Sequence, residues 1–370
     1  MTLRKWCLVS GWLLSGLPVA QAVEFGAFGH VGYQDDTEKG KPGSFLLGSF
    51  DLYAQQEIDP KTHVFVEYLL EQDTATSESF KVDLERLSIT RTITPHFSIG
   101  AGRFHVPFGY WNATYHHGSL LQDTASRPSF LNGEDGIGGI LPVHAVGLMA
   151  TGEYSPGGGK LRYDLSIANG SSLNTEPSVT PRHVDINNSA DPNPRKSLML
   201  HLVYELPRLP VKIGVVGMSD GIAESGSFAK GAVAEFGTTL VNRTVYGVDL
   251  HYDNGHFDAL GEFYLFKNED KVGSVGSHEA NAYYLQVGYQ VTENFKPVYR
   301  YESVDFAAAD TYFQYLGTHE GTRHVVGLRY DLDASNALKI EANRRQPTSA
   351  TAPNASDETS YTVQWAFLMW

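Results

Sequence analysis

The chain is poor in cysteine, in long apolar runs and in positive charge, and each shortage removes a class of protein. Its one cysteine, Cys7, lies in the N-terminal segment, so neither a disulfide framework nor a thiolate site is open to the rest of the chain. No stretch after residue 22 approaches the roughly 18 consecutive apolar residues of a spanning helix, which excludes a helical membrane bundle. Basic residues number 28 against 42 acidic ones, a formal charge of −14, and a nucleic-acid partner would need a basic face to neutralise phosphates. What the chain has in quantity is glycine (37), tyrosine (20) and phenylalanine (19) in 370 residues. Those aromatics can bury enough surface to exclude disorder, and a collagen or coiled-coil repeat is missing.

Residues 1–22 differ in kind from the rest of the chain. Arg4 and Lys5 make a cationic start, Trp6 to Val19 are mostly apolar, and Ala20-Gln21-Ala22 places small residues where a signal peptidase reads. This pattern predicts a secretory signal ahead of a single domain spanning 23–370. A membrane anchor fits less well, because Gly11, Ser15, Gly16 and Pro18 interrupt a stretch already short for spanning.

Periodicity decides what the exported part becomes. Leu198, Leu200, Leu202 and Tyr204 fall on every second position with Met199, His201, Val203 and Glu205 between them, the pattern of a strand with two unlike faces. The same alternation runs through Leu161 to Ile167, Tyr283 to Tyr289, Val326 to Tyr330 and Tyr361 to Phe367. One face is apolar and aromatic; the other carries Arg, Glu, Asp, His, Gly and Gln. Sixteen such segments are joined by two alternating classes of connection. The short class is 59–61, 94–96, 155–159, 207–210, 253–255, 292–294 and 333–335, with Asp253-Asn254-Gly255 the strongest hairpin signal. The long class is about 34–44, 72–79, 108–143, 170–196, 219–239, 267–279, 305–321 and 346–359.

A soluble sandwich has no reason to alternate its loop lengths, whereas an outer-membrane barrel keeps short periplasmic turns and long extracellular loops. The fold expected is therefore an all-β transmembrane antiparallel barrel of about sixteen strands, with a soluble β protein of the same strand count as the plainer alternative. Closure has a physical cause, since an unpaired N–H or C=O in hydrocarbon costs several kcal/mol. A barrel of this size encloses more space than side chains fill, leaving a water channel. The final strand ends Trp365-Ala366-Phe367-Leu368-Met369-Trp370. Phe367 falls on the apolar face and Trp370 on the other parity, so either three residues trail a terminal Phe367 or the strand shifts register.

Lys81 to Arg91 reads KVDLERLSITR, the turn Thr94-Pro95-His96 comes next, and Gly102 to Gly109 reads GRFHVPFG. Pro107 withdraws a ladder donor and ends the strand, and Gly109 permits a sharp turn. This hairpin resembles the one that precedes the third loop in the family of the phosphate-selective porins O and P and their relatives. The resemblance implies a sixteen-stranded trimer whose third loop, here about 108–143, folds back into the lumen and narrows it. Phosphate selectivity in that family depends on a basic ladder and a basic constriction. This loop instead sets Asp123, Glu134 and Asp135 against Arg127, so fold and pore function carry over and phosphate specificity does not.

Candidate pore and solute-binding residues are His105, Tyr110, Trp111, Arg127, Glu134 and Asp135 in and beside the loop, with Arg103, Arg243, Arg300, Arg323, Arg329 and Lys339 on the polar faces of strands. Clustered cations would draw anions in a narrow space. Glu205, Asp249, Glu262, Glu302 and Glu341 share that face, however, and pairing of the two signs would leave little selectivity. Catalytic templates fit poorly. In His319-Glu320-Gly321-Thr322-Arg323-His324 the second His comes one residue late for a zinc protease, and the segment enters a strand. Asp331-Asp333-Ser335 echoes a calcium loop but has Asn336 where Gly is wanted and Ala342 where Glu is wanted. His116-His117 with His105 could bind a metal, though adjacent loop histidines are usually solvated, and no metal or cofactor is expected. Three readings remain: a passive diffusion channel, an outer-membrane hydrolase with a lumen or rim His, or a surface receptor whose barrel anchors loops such as 170–196. The expected surroundings are a lipid bilayer with lipopolysaccharide, small hydrophilic solutes and two further copies of the chain.

Overall fold

The computed structural model describes residues 22–36, 42–72, 80–116, 118–132, 139–173, 184–186, 193–224, 227–229, 232–235, 237–272, 276–316, 318, 320–348 and 356–369. The proposed signal up to residue 21, His117, Glu134, Asp135, His319 and Trp370 lie outside them. Sixteen long strands run in order: β1 Glu24–Asp36, β2 Ser44–Asp59, β3 Thr62–Gln72, β4 Phe80–Thr94, β5 Phe97–His105, β6 His144–Tyr154, β7 Lys160–Ala168 and β8 Ser197–Glu205. The second half comprises β9 Val211–Glu224, β10 Thr239–Asp253, β11 Phe257–Asp270, β12 Gly276–Tyr289, β13 Phe295–Phe306, β14 Gly321–Asp333, β15 Asn336–Pro347 and β16 Glu358–Met369.

Each strand pairs antiparallel with the next, and β16 returns to β1 with Ala27 opposite Met369 and Asp36 opposite Ser360. The sheet thus closes into a barrel without a free edge, as backbone groups facing hydrocarbon require. No described helix is long and apolar enough to cross a membrane; the strands do that work. Parity behaves as the alternation predicts: Leu198 and Leu200 are exposed while Met199 and His201 are buried, and Val326, Leu328 and Tyr330 all face outward. Phe97, Tyr154, Phe257, Tyr289, Tyr330 and Trp365 are exposed beside the short turns, the position of an interfacial aromatic girdle.

All seven short turns fall where the sequence places them. At Asp253-Asn254-Gly255 the Asp253 carboxylate accepts the Gly255 N–H at 2.8 Å and Asn254 Oδ1 accepts those of His256 and Phe257. Gly255 takes φ 84° there, a conformation glycine adopts freely. Several long connections are shorter than expected because strands outrun their apolar stretch. β11 and β12 stay paired from Phe257↔Tyr289 to Asp270↔Gly276, so the reading of 267–279 as loop is corrected: 267–270 and 276–279 belong to the strands. The final strand keeps one register against β1 through Met369 and against β15 through Phe367, and the register shift considered for it does not occur within these pairs.

The inward face departs from a uniformly polar lining. On β10 to β13 it carries Val245, Tyr264, Phe266, Ala280, Ala282, Tyr284, Val304 and Phe306, all buried. They form one cluster with Phe108, Trp111, Phe130, Ile140, Tyr312 and Phe313, residues of the connections after β5 and after β13. The physical cause is that these connections pack inside the barrel and need an apolar wall to pack on.

Candidate functional site: the lumen and the clamped loop

The connection between β5 and β6 begins with Val106, whose N–H bonds Val143 O at 2.9 Å. Gly109 takes φ 72°, and a Cβ there would fall 2.0 Å from the Tyr264 hydroxyl. Only glycine allows the chain to turn so close to the wall. The helix α1, Gly109–Thr114, starts at that turn. Buried Glu262 accepts the Trp111 N–H at 2.6 Å and the hydroxyls of Tyr264 and Tyr284 at 2.6 and 3.0 Å. A carboxylate out of water needs such a full set of donors. Tyr115, just beyond, is mostly buried, and burial pushes its phenol well above the ordinary range.

The loop then crosses to the opposite wall, where its backbone meets the cations of β13 to β15. Lys339 Nζ donates to the carbonyls of Ser119 and Thr124 and to Gln364 Oε1. Arg329 donates to Leu120 O at 2.7 Å and Gln122 O at 2.8 Å. Arg300 donates to Thr124 Oγ1 at 2.6 Å and Ser126 O at 3.1 Å, and Arg323 to Ser126 Oγ at 3.0 Å. Two wall carboxylates take the complementary donors: Glu341 accepts the N–H of Ser126, and Glu302 accepts that of Ser129 at 2.7 Å. Asp123 lies 2.9 Å from Lys296, which also holds Asp258. Hydrogen bonds to charged groups contribute about 1.5–3 kcal/mol each, so this row fixes the loop firmly.

The candidate residues therefore divide. Arg243, Arg300 and Lys339 are at most 1% exposed and out of reach of a passing solute. Arg243 is bound by Asp220 through two hydrogen bonds of 2.9 and 2.6 Å. Arg329 pairs with Asp331 at 2.7 Å besides holding the loop, and Arg103 donates to Glu85 O. Trp111 is buried edge-on against Tyr284, and Tyr110 stacks on His251 at 4.3 Å between ring centres. Arg127 and Arg323 come together at the wall of an open space of about 760 Å³, which Arg345, Asp36, Glu71 and Glu358 also line. These strand residues all sit near the long-loop ends of their strands, so the space is a vestibule and loop residues 119–126 form its floor. Lys296, Asp258 and Arg345 are not marked out by the sequence; a lone lysine after the turn Thr292-Glu293-Asn294 carries no pattern that would single it out.

His116 is buried, against the expectation of a solvated pair, with Nδ1 2.6 Å from Asn112 Oδ1 and Nε2 2.9 Å from His144 Nε2. His105 stacks on it at 3.4 Å between ring centres, and Glu85 approaches His144 Nε2 at 2.7 Å.

No family model matches the sequence, and no curated protein does. Solved structures do match in fold. The chain is similar to an anion-selective porin from Comamonas acidovorans at 12% identity, covering 94% of this chain and 99% of that one with a TM-score of 0.59. It is similar to OmpF of Salmonella typhi, in complex with daunomycin, at 12% identity, 94% and 97% coverage and a TM-score of 0.61. It is also similar to the outer-membrane channel DcaP of Acinetobacter baumannii at 10% identity, 93% and 97% coverage and a TM-score of 0.56. The architecture is thus that of bacterial outer-membrane barrels.

Proposed function

We propose that this protein is an outer-membrane porin through which small hydrophilic solutes and ions diffuse passively past the clamped third loop. One observation carries the reading: beside the loop the barrel keeps an open vestibule of about 760 Å³ lined by residues of both signs, where a purely structural barrel would gain from filling it. Arg127, Arg323 and Arg345 are the cations placed to meet an anion, Arg323 with Glu302 and Glu341 already beside it, and Asp36, Glu71 and Glu358 line the same space. A field across such a mixed lining orients solutes and gives modest selectivity. Kinship with the porin O and P family rests on the stretch Gly102 to Gly109 and extends to a homotrimer in a lipopolysaccharide-bearing membrane. Neighbours of the same fold bear out the barrel, and one is itself described as anion-selective.

A hydrolase reading has one geometric support, Ser49 Oγ at 3.2 Å from His30 Nδ1 on the vestibule wall. Planar-bilayer recording tests the main reading. Stepwise conductance with chloride, phosphate and a sugar acid as competing solutes is expected. Insertion without conductance would sink the channel, and ester hydrolysis by the same preparation, lost in Ser49→Ala, would favour the enzyme.

A further inference from the structure

We propose that Glu85, His105, His116 and His144 form a binding site for a divalent first-row transition-metal ion, of the Zn²⁺ class, at the root of the third loop. One potential ligand atom from each of the four lies within 4.8 Å of every other. The register brings them together from four places in the chain. His105 ends β5 directly opposite His144, the first residue of β6. Glu85 is the extra residue of a β-bulge, since Glu67 pairs with Arg86 and Tyr68 with Leu84. A bulge re-aims a side chain, and this one turns Glu85 inward to 1% exposure. His116 follows α1 with φ 34°, a left-handed conformation that a non-glycine residue keeps only where surrounding contacts enforce it.

The tautomer of His116 is set by its partners. Asn112 Nδ2 donates to the carbonyls of Val106 and Val143, which leaves Asn112 Oδ1 as an acceptor. His116 Nδ1 therefore carries the hydrogen, and the lone pair of Nε2 points at His144. Fixing a ring by a hydrogen bond through its other nitrogen is the usual support of a metal-bound histidine. His116 Nε2, His144 Nε2 and Glu85 Oε2 converge through contacts of 2.9 and 2.7 Å; a single proton on His144 Nε2 can serve only one of these contacts at a time, whereas a shared cation satisfies all three atoms. In tetrahedral coordination at about 2.1 Å, ligand atoms stand about 3.4 Å apart, so an ion would part these groups by roughly half an ångström. Three imidazoles and a carboxylate suit Zn²⁺ or Ni²⁺ rather than Ca²⁺ or Mg²⁺. Four protein ligands close the coordination sphere, which marks the site as structural. It would staple α1 to the β4–β6 wall, and it stands whether or not the barrel conducts.

The test uses the full chain folded in detergent, stripped with a chelator and titrated with Zn²⁺. About one equivalent per chain is expected, with affinity lowered at least tenfold in His105→Gln and His144→Gln and by roughly 10–100-fold in Asn112→Ala, as loss of an orienting partner does. His117→Ala should bind like the parent. Absence of stoichiometric binding to the parent, or unchanged binding in both Gln variants, overturns the proposal. Should the variants fail to fold, Co²⁺ bound to the parent decides: the intense visible bands of a tetrahedral site support it, and a spectrum of hexahydrated or absent Co²⁺ overturns it.

Discussion

The carboxylate of Glu262 accepts the backbone N–H of Trp111 at 2.6 Å, joining residues 151 positions apart. Together with the Tyr264 and Tyr284 hydroxyls it turns a wall strand into the seat of α1. Replacing Glu262 by Leu would leave three buried donors without their acceptor, at about 1–3 kcal/mol each. Glu262→Leu should therefore lower unfolding stability in urea by several kcal/mol and make single-channel current noisy, while Glu262→Gln, which keeps one acceptor oxygen, should cost less. A Leu variant as stable as the parent would show that Glu262 does not hold the loop.

The barrel is largely legible in the chain and the loop's seat is not. Alternation such as Leu198, Leu200, Leu202 is a direct consequence of pleat and lipid, and turn residues such as Asn254-Gly255 declare themselves. Strand ends are misplaced where polar residues such as Lys267 to Asp270 continue a hairpin beyond the apolar band. The lumen cations invite weighing against carboxylates and solutes, yet Lys339 and Arg329 chiefly meet carbonyl oxygens of residues 119–124, acceptors that every residue type carries and no sequence pattern marks. A hint does exist in Phe263 to Phe266 and in Tyr283-Tyr284, where large apolar residues occupy both parities and so report a strand covered on both sides. The pairing of Asp220 with Arg243 needs the register of β9 on β10.

Outside the spanning strands, a second helix α2, Thr311–Leu316, docks in the lumen beneath a buried Asp310. Burial raises the Asp310 pKa, opposed by the Asn268 amide and the Tyr312 N–H. The folded state then keeps a proton that the unfolded chain has already lost, so this group's contribution is complete below the ordinary carboxylate value and fades as pH rises through the folded one. Urea unfolding of the parent between pH 4 and 7 should contain that decline, and Asp310→Asn should lack it. Identical pH profiles for the two would remove Asp310 as its source.

Lys339 contacts two loop carbonyls and Gln364 while fully buried. Lys339→Met keeps the stem's volume and removes the three charged hydrogen bonds, at an expected net cost of about 3 kcal/mol once the relieved cost of burying an ammonium is set against them. The loop floor should loosen and single-channel conductance should rise. Unaltered conductance together with unaltered stability would mean that the neighbouring arginines suffice to hold residues 119–124.

Selectivity separates the arginines that line the vestibule from those that only hold the loop. Arg127 and Arg323 line the vestibule, Arg323 while also donating to Ser126 Oγ and Arg127 O of the loop, whereas Arg329 does not line it and directs its donors to Leu120 O, Gln122 O and Asp331. Removing one lining charge changes the local potential by on the order of one kT, about a threefold change in relative anion permeability. Arg127→Ala and Arg323→Ala should each move the reversal potential in a salt gradient toward cation preference by that factor, and high salt should shrink the effect through screening. Arg329→Ala should alter conductance through the loop's position with a smaller change in ion preference. A larger selectivity change in Arg329→Ala than in Arg127→Ala would reverse this division of roles and place the selective constriction below the vestibule floor.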